Sequence, residues 1–278
     1  MFQSKLIKSG PVLEVYTYSL PDEKYGIKKS WEEDSCDESE NDQFGSFYRS
    51  KRNAKRIIFS NAWRWYKKNG SPFPPFFLTL TFEDNIQDLK LANRMFSKFI
   101  QRFNYKLTNK KKAYLQYLGV IEFQRRGAIH YHVIIFNLPY IKDMVYKTMR
   151  ELWGQGRIEL KIVKSINTLI NYLSKYMVKD IENGKLSEKK RYFTSRKIKR
   201  PLVSYDFYAT LLLSSNLKNR LILEKEMDIK YIGHMKYQKY MLYPEDEDIL
   251  YLDYPILDRK TKKNVLSLTK ENNLKLPL

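Results

Sequence analysis

Across the middle of the chain the sequence reads Gly119-Val-Ile-Glu-Phe-Gln-Arg-Arg-Gly-Ala-Ile-His-Tyr-His-Val-Ile-Ile-Phe136. Two of the three histidines, His130 and His132, lie one residue apart in an apolar, β-branched run that predicts a strand. Because strand residues i and i+2 share a face, the imidazoles project side by side, with Tyr131 on the reverse. Such a pair can hold a divalent cation, although two polar residues on the wet face of a strand are the plainer interpretation.

A carboxylate upstream favours the metal hypothesis. Glu122 lies in the preceding apolar stretch, and Arg125, Arg126 and Gly127 predict the turn of an antiparallel hairpin. A loop with an odd number of residues places Glu122 across from His130 on the face of the imidazoles, whereas an even number places it on the other face. With an odd loop, the sequence predicts a site of two histidines and one carboxylate.

The charge of the chain indicates a polyanionic partner. Lys and Arg number 51 against 31 Asp and Glu, a net charge of +20. Residues 22–42 are rich in Asp and Glu and predict a loop or disordered insert, so the rest is more basic still. The single cysteine, Cys36, excludes an internal disulfide and a thiolate zinc cluster. Without a signal peptide or a bilayer-length apolar run, we expect a soluble protein with no membrane partner.

Residues 47–68 interleave cations with apolar side chains and predict a basic amphipathic helix. Its charged face can contact phosphates, or it can simply be solvated. Four more elements follow from periodicity: a strand with Phe76, Leu78, Leu80 and Phe82 towards the core and an exposed row of threonines at 79 and 81, helices over residues 87–107 and 141–153, and a strand over 157–163.

A further helix is predicted after Ser165, with one apolar face made by Ile166, Leu169, Ile170, Leu173 and Met177. Tyr172 and Tyr176 fall about 40° apart on its flank, with Lys175 and Lys179 farther towards solvent. Tyrosine on a helix flank is ordinarily an amphipathic spacer. Attack on phosphorus by a phenol, whose pKa is near 10, needs a cation that favours the phenolate and a metal that polarises the phosphoryl oxygen. Lys175 can supply the first and the histidine site the second.

Three motifs, taken in order, resemble the HUH endonuclease superfamily, in particular the rolling-circle replication initiators of small plasmids and of microvirus and inovirus type phages. They are Phe77-Leu-Thr-Leu-Thr-Phe82, His130-Tyr-His132 with the upstream Glu122, and Tyr172-Leu-Ser-Lys-Tyr176. The resemblance covers roughly residues 47–180, about half the chain. Each motif is weak alone, and their joint order makes a chance match improbable.

The resemblance implies an α+β fold, a central antiparallel sheet with packed helices, plus N- and C-terminal extensions. It implies a metal-dependent nuclease that nicks one strand of origin DNA, leaving a 5′-phosphotyrosine link and a free 3′-hydroxyl for the host polymerase. Tyr172 ranks ahead of Tyr176 as nucleophile, with Lys175 beside it. The metal, Mg²⁺ or Mn²⁺, would be held by Glu122, His130 and His132. The candidate DNA contacts are Arg52, Lys55, Arg56, Arg125, Arg126 and Lys179.

We therefore expect an N-terminal extension over 1–46, an endonuclease domain over 47–180, and a basic linker and C-terminal extension of unassigned role over 181–278. No Gly-x-x-x-x-Gly-Lys-Ser/Thr motif occurs, so we expect no nucleotide cofactor and a host helicase for strand separation. The expected location is the cytoplasm or nucleoid of a host cell.

Two other functions fit the same residues. A tyrosine transposase or conjugative relaxase would use the same site and differ only in its DNA. A non-catalytic binder of single-stranded nucleic acid would use the basic surface and the abundant aromatics, and it would have no need for the histidine pair or for a metal.

Overall fold

The computed structural model describes residues 2–19, 42–62, 74–124, 126–138, 144–163, 169–171, 173, 192–205, 217–229 and 233–242. The acidic stretch lies outside these ranges except for Asp42. The chain divides into two compact units, residues 37–200 and residues 1–36 with 201–278. Each unit contains an antiparallel sheet, and helices accompany them, so the expected α+β class is confirmed.

The described helices are α1 (Asp42–Ala62), α2 (Leu89–Thr108) and α3 (Met144–Trp153), with a 3-10 turn at Lys218–Arg220. The described strands are β1 (Phe2–Ser9), β2 (Val12–Ser19), β3 (Phe76–Thr81), β4 (Tyr117–Phe123), β5 (Ile129–Ile135), β6 (Ile158–Ile162), β7 (Phe193–Thr194), β8 (Leu202–Ser204), β9 (Leu221–Ile229) and β10 (Gly233–Met241).

The unit of residues 37–200 is organised by a five-stranded sheet in the order β6-β3-β5-β4-β7. Alternate residues of β3 and β5 point to one face, where α2 and α3 pack on them. The apolar positions of α2 recur at helical spacing and enter this core; they are Ala92, Phe96, Phe99, Ile100 and Phe103. Asp88 caps the start of α2 by accepting from the backbone N–H of Lys90, and Asn109 ends it in the left-handed region.

The hairpin of β4 and β5 fixes the register at the centre of this sheet. Phe123 pairs with Ile129, which leaves a five-residue loop at 124–128, and Glu122 lies directly opposite His130. Gly127 adopts φ +86 in this loop, a conformation that favours glycine. The odd loop that the metal hypothesis requires is therefore present.

The predicted elements differ from the observed ones in several places. The basic helix begins at Asp42 rather than Phe47, and its expected end lies outside the described residues. Strand β1 was not expected at all. The threonine row is not exposed: Thr79 and Thr81 are half-buried because the imidazoles of His132 and His130 pair beside them from β5. The apolar face of the same strand enters the core as expected.

The second unit is built on the sheet β8-β1-β2-β10-β9, whose strands come from both ends of the chain. Its interior is formed by Leu6, Leu13, Val15, Leu217, Tyr240 and Leu242. Burial raises the pKa of the Tyr240 phenol to about 12. Lys236 on β10 bridges Glu224 and Glu226 on β9 at 2.9 and 3.0 Å. The domain boundaries expected at 46/47 and 180/181 stay predictions.

Gly119 on β4 provides a test of the packing of the first unit. A Cβ at this position would lie 2.4 Å from Phe193 Cζ on β7. The Phe193 ring is held at 5.2 Å from Phe96 and 5.9 Å from Tyr131, both edge to face, so it has little room to move.

We expect Gly119→Ala to lower the free energy of unfolding by about 1–3 kcal/mol, the usual cost of overpacking a core. Without the clash, alanine in a strand would instead stabilise the protein by restricting the unfolded chain. Denaturant unfolding measures the difference. The double variant Gly119→Ala/Phe193→Leu should lose less relative to Phe193→Leu than Gly119→Ala loses relative to the wild type. A Gly119→Ala protein as stable as the wild type would contradict the packing described.

Candidate metal centre

Three side chains meet on the face of the first sheet that points away from α2 and α3. They are Glu122 on β4 and His130 and His132 on β5, and one ligand atom from each lies within 4.8 Å of the others. All three are buried. The hairpin register places Glu122 opposite His130, and the two-residue repeat of the strand places His132 beside it. This group can hold a metal ion.

The closest contact in the cluster joins His132 Nε2 and Glu122 Oε2 at 2.7 Å. The other ring nitrogen, Nδ1, lies 3.2 Å from Thr79 Oγ1 on β3. When Nδ1–H donates to Thr79, the lone pair of Nε2 points into the cluster, which is the state that a metal-binding histidine needs. When the proton is on Nε2 instead, it donates to Glu122. Thr79 therefore favours the binding tautomer of His132.

Aromatic packing restrains the same imidazole from another side. Phe77 on β3 is buried, and its ring stacks on His132 with centroids 5.8 Å apart and planes 26° apart. Phe77 and Thr79 share a face because they are two residues apart on one strand. The ring of His132 is thus held by a hydrogen bond and a stacking contact before any ligand arrives.

The donor set suits a divalent ion. Two neutral imidazoles and one carboxylate balance part of the charge of the ion, and three protein ligands leave coordination positions open for a phosphate oxygen and water. Burial of Glu122, at 8% exposure, strengthens its attraction for a cation because water screens it poorly.

Tyr131, which separates the two histidines in sequence, has a different environment. Its ring lies in the core on the opposite face, stacked on Phe96 at 4.8 Å, and its hydroxyl donates to Asn93 Oδ1 at 2.7 Å. Burial raises the pKa of the Tyr131 phenol far above its usual range. Tyr131 is therefore a core residue and not a nucleophile.

The candidate nucleophiles, Tyr172 and Tyr176, lie outside the described residues together with Lys175 and Lys179. Residues 169–171 and 173, which flank the first tyrosine, are helical. Leu169, Ile170 and Leu173 are buried, as the predicted apolar face of this helix requires. The catalytic roles stay predictions.

The candidate DNA contacts differ in exposure. Arg126 is exposed at the hairpin turn, where its guanidinium donates to Gln124 Oε1 and to the carbonyl oxygen of Phe82. Arg52 and Lys55 on α1 are half-buried and Arg56 is buried. Arg125 lies outside the described residues. Their roles in DNA binding stay predictions.

Sequence reasoning missed the contribution of Phe77 and Thr79. Both belong to a motif that was recognised only by its resemblance, with no role attached to its side chains. The available signal was their position: they alternate along β3 on the face opposite to Leu78 and Leu80. Only the pairing of β3 with β5, in which Thr79 faces His132, shows what they contact.

Comparison with known proteins connects this centre to replication. Residues 75–181 match the family model of the replication-associated protein ORF2, and this range contains all three motifs. The chain is similar to the phasyl DNA replicon protein arp of Escherichia coli, with 35% identity over 38% of this chain and 44% of that protein. The chain thus spans less than half the length of this relative. No solved structure matches.

Both matches support the expectation of a replication protein. They do not extend to residues outside the matched part of the chain. Within the residues that the structure describes, no helix is both long and apolar enough to cross a membrane.

We expect Thr79→Val to weaken binding of Mn²⁺ by about 10- to 100-fold, the usual effect of removing the hydrogen-bond partner of a histidine ligand. Valine keeps the shape and the β-branching of threonine, so the strand and its core face are preserved. Isothermal titration calorimetry with Mn²⁺ measures the change, and Thr79→Ser, which keeps the hydroxyl, serves as the matched control. Equal affinity of the valine variant and the wild type would remove Thr79 from the centre.

Proposed function

We propose that this protein starts replication by nicking one DNA strand at an origin, in the manner of the HUH endonucleases that its motifs resemble. The observation that carries the proposal is the convergence of Glu122, His130 and His132 on a rigid hairpin. That hairpin lies in the segment that matches a replication-associated family. A buried acid with two histidines is a costly arrangement in a protein that only binds DNA, because charged and polar groups lose hydration on burial.

In the proposed site, Glu122, His130 and His132 hold Mg²⁺ or Mn²⁺, and the two imidazoles favour Mn²⁺. The ion, when bound, polarises the scissile phosphate and neutralises charge that develops on its oxygens. The chain supplies the geometry: Thr79 and Phe77 fix the His132 ring, and the β4–β5 register fixes the carboxylate beside it. Little reorganisation is then needed when a phosphate arrives.

The proposed nucleophile is the phenolate of Tyr172. Its oxygen attacks the phosphorus, the bond from phosphorus to the 3′ oxygen breaks, and the leaving oxygen takes a proton to become a free 3′-hydroxyl. The 5′-phosphate stays bonded to the tyrosine. Lys175 lowers the energy of the phenolate by its positive charge. Tyr176, one helical turn on, is the candidate for a second cleavage or for strand transfer.

The free 3′-hydroxyl is a primer for the host polymerase, and a host helicase separates the strands beyond the nick. Arg126, exposed beside the hairpin turn, is placed to contact a strand that enters this face of the sheet. A relaxase or transposase would use the same chemistry on other DNA, and the match to replication-associated proteins favours an origin as substrate.

We expect Tyr172→Phe to abolish covalent attachment to a labelled single-stranded oligonucleotide of origin sequence, because phenylalanine keeps the ring and removes the attacking oxygen. Binding of the oligonucleotide should change by less than about twofold, within the range of a neutral surface substitution. Denaturing gel electrophoresis in the presence of Mn²⁺ detects the covalent species.

Tyr176→Phe is the matched control, since it removes an equivalent hydroxyl one turn away and should leave the first cleavage intact. The wild type treated with EDTA should behave as Tyr172→Phe does. Labelling of the Tyr172→Phe protein at the wild-type level would show that another group is the nucleophile. Labelling that persists in EDTA would show that the reaction needs no metal.

A further inference from the structure

The outward face of α2 carries positive charge along its whole length. Five cations recur every four residues, and each is exposed; they are Lys90, Arg94, Lys98, Arg102 and Lys106. No Asp or Glu occurs within α2. Residues 110–112, three exposed lysines, continue the charge beyond its end. We call the five helical residues the α2 cation stripe.

Such a stripe opposes the stability of its own helix. Residues four apart are neighbours on a helix surface, so each successive pair of the stripe places like charges together. Among the described residues, none of the five forms an ion pair with a carboxylate, and Asp88 contacts only the backbone N–H of Lys90. By contrast, Lys161 pairs with Glu159 at 2.8 Å. A solvated helix face normally mixes both signs, so the stripe indicates an anion supplied from outside.

The stripe lies on the opposite side of the sheet from the candidate metal centre. Phe96, Phe99 and Phe103 on the inner side of α2 pack into the core that also contains Tyr131 and Val133. His130 and His132 point the other way from the same strand. A strand bound at the metal centre therefore cannot also contact the stripe without passing around the edge of the sheet.

The dimensions of the stripe suit a nucleic-acid backbone. Four residues of helix rise about 6 Å, so the five cations extend over about 24 Å. This length corresponds to about seven phosphates of one strand of a duplex, at about 3.4 Å per step. Each cation is rotated by only about 40° from the one before, so neighbouring cations can follow one continuous surface.

The absence of stacking surfaces selects duplex over single-stranded DNA. Proteins that hold single strands interleave their cations with aromatic rings on which bases stack. Between Lys90 and Arg102, α2 exposes no aromatic side chain, because Phe96 and Phe99 are buried. Tyr105 is exposed only near the end of the stripe. The surface offers charge to phosphates and nothing to bases.

We propose that the α2 cation stripe binds the phosphate backbone of duplex DNA, independently of sequence, while the opposite face of the sheet holds the strand to be cut. The proposal rests on DNA as the substrate of the proposed function, but it does not require the nicking chemistry. It gives the domain two DNA surfaces with different preferences, one on each side of the sheet.

The test is the salt dependence of binding to a random-sequence duplex, measured by fluorescence anisotropy in EDTA with the full chain. The variant Arg94→Gln/Lys98→Gln/Arg102→Gln removes three charges, and glutamine keeps the helix propensity. Each lost phosphate contact reduces the slope of log K against log salt by about 0.9, so we expect the slope to fall by about 2 to 3. The slope for a single strand of equal length should fall by less than about 1.

The control variant Lys147→Gln/Lys161→Gln/Lys236→Gln removes the same charge from exposed or half-exposed lysines. Lys161 and Lys236 pair with carboxylates, and Glu151 lies one turn after Lys147. Its duplex slope should stay within about 1 of the wild-type slope. Lys98→Gln alone should lower the slope by about 0.9, which keeps the test valid if the triple variant folds poorly.

An unchanged duplex slope in the triple variant overturns the proposal, as does an equal loss in the control variant. A loss that is as large for the single strand as for the duplex overturns the choice of duplex. Because these measurements contain no metal and need no cleavage, they are independent of the outcome with Tyr172→Phe. The nicking proposal and the duplex proposal can therefore fail separately.

Discussion

The register of one hairpin determines the chemistry available to this protein. The five-residue loop between β4 and β5 places Glu122 opposite His130 and within hydrogen-bond distance of His132. A slip of one residue would turn the carboxylate to the opposite face, into the core beneath α2. The hairpin is held in place by the apolar face of β5, where Tyr131 and Val133 are fully buried. Core packing on one face thus secures the geometry of the other.

The two faces of the first sheet have separate tasks, and strand alternation keeps them separate. Leu78 and Leu80 pack against helices, whereas Phe77 and Thr79, their neighbours in sequence, contact His132. The same division extends to the helices, because α2 buries one side in the core and presents its cations on the other. A chain with a strong positive charge can in this way bring DNA to two surfaces of a small domain.

Much of this arrangement could be predicted from local sequence. The strand with His130 and His132, the odd loop and the apolar faces of α2 and β3 all depend on residues close together in the chain, where periodicity is informative. The acid and the two histidines can therefore be identified from the sequence alone. The buried positions at Leu169 and Leu173 were predicted for the same reason.

The features that were missed depend on distant residues or on a different pattern. The contact of Thr79 with His132 requires the pairing of strands 53 residues apart in sequence. The second sheet joins β1 and β2 to β10 from the other end of the chain, which no local pattern indicates. The α2 cation stripe was overlooked because the search for periodicity followed apolar residues. Its charges repeat with a period of four, and that repeat is visible in the printed sequence.

The most direct test of the account is the coordination of Mn²⁺ by the purified protein, measured by pulsed electron paramagnetic resonance. We expect one tightly bound ion per chain with nitrogen couplings from two imidazoles, and the loss of one coupling in His130→Gln and in His132→Gln. A bound ion without nitrogen couplings, or with couplings unchanged in both variants, would contradict a metal centre at Glu122, His130 and His132.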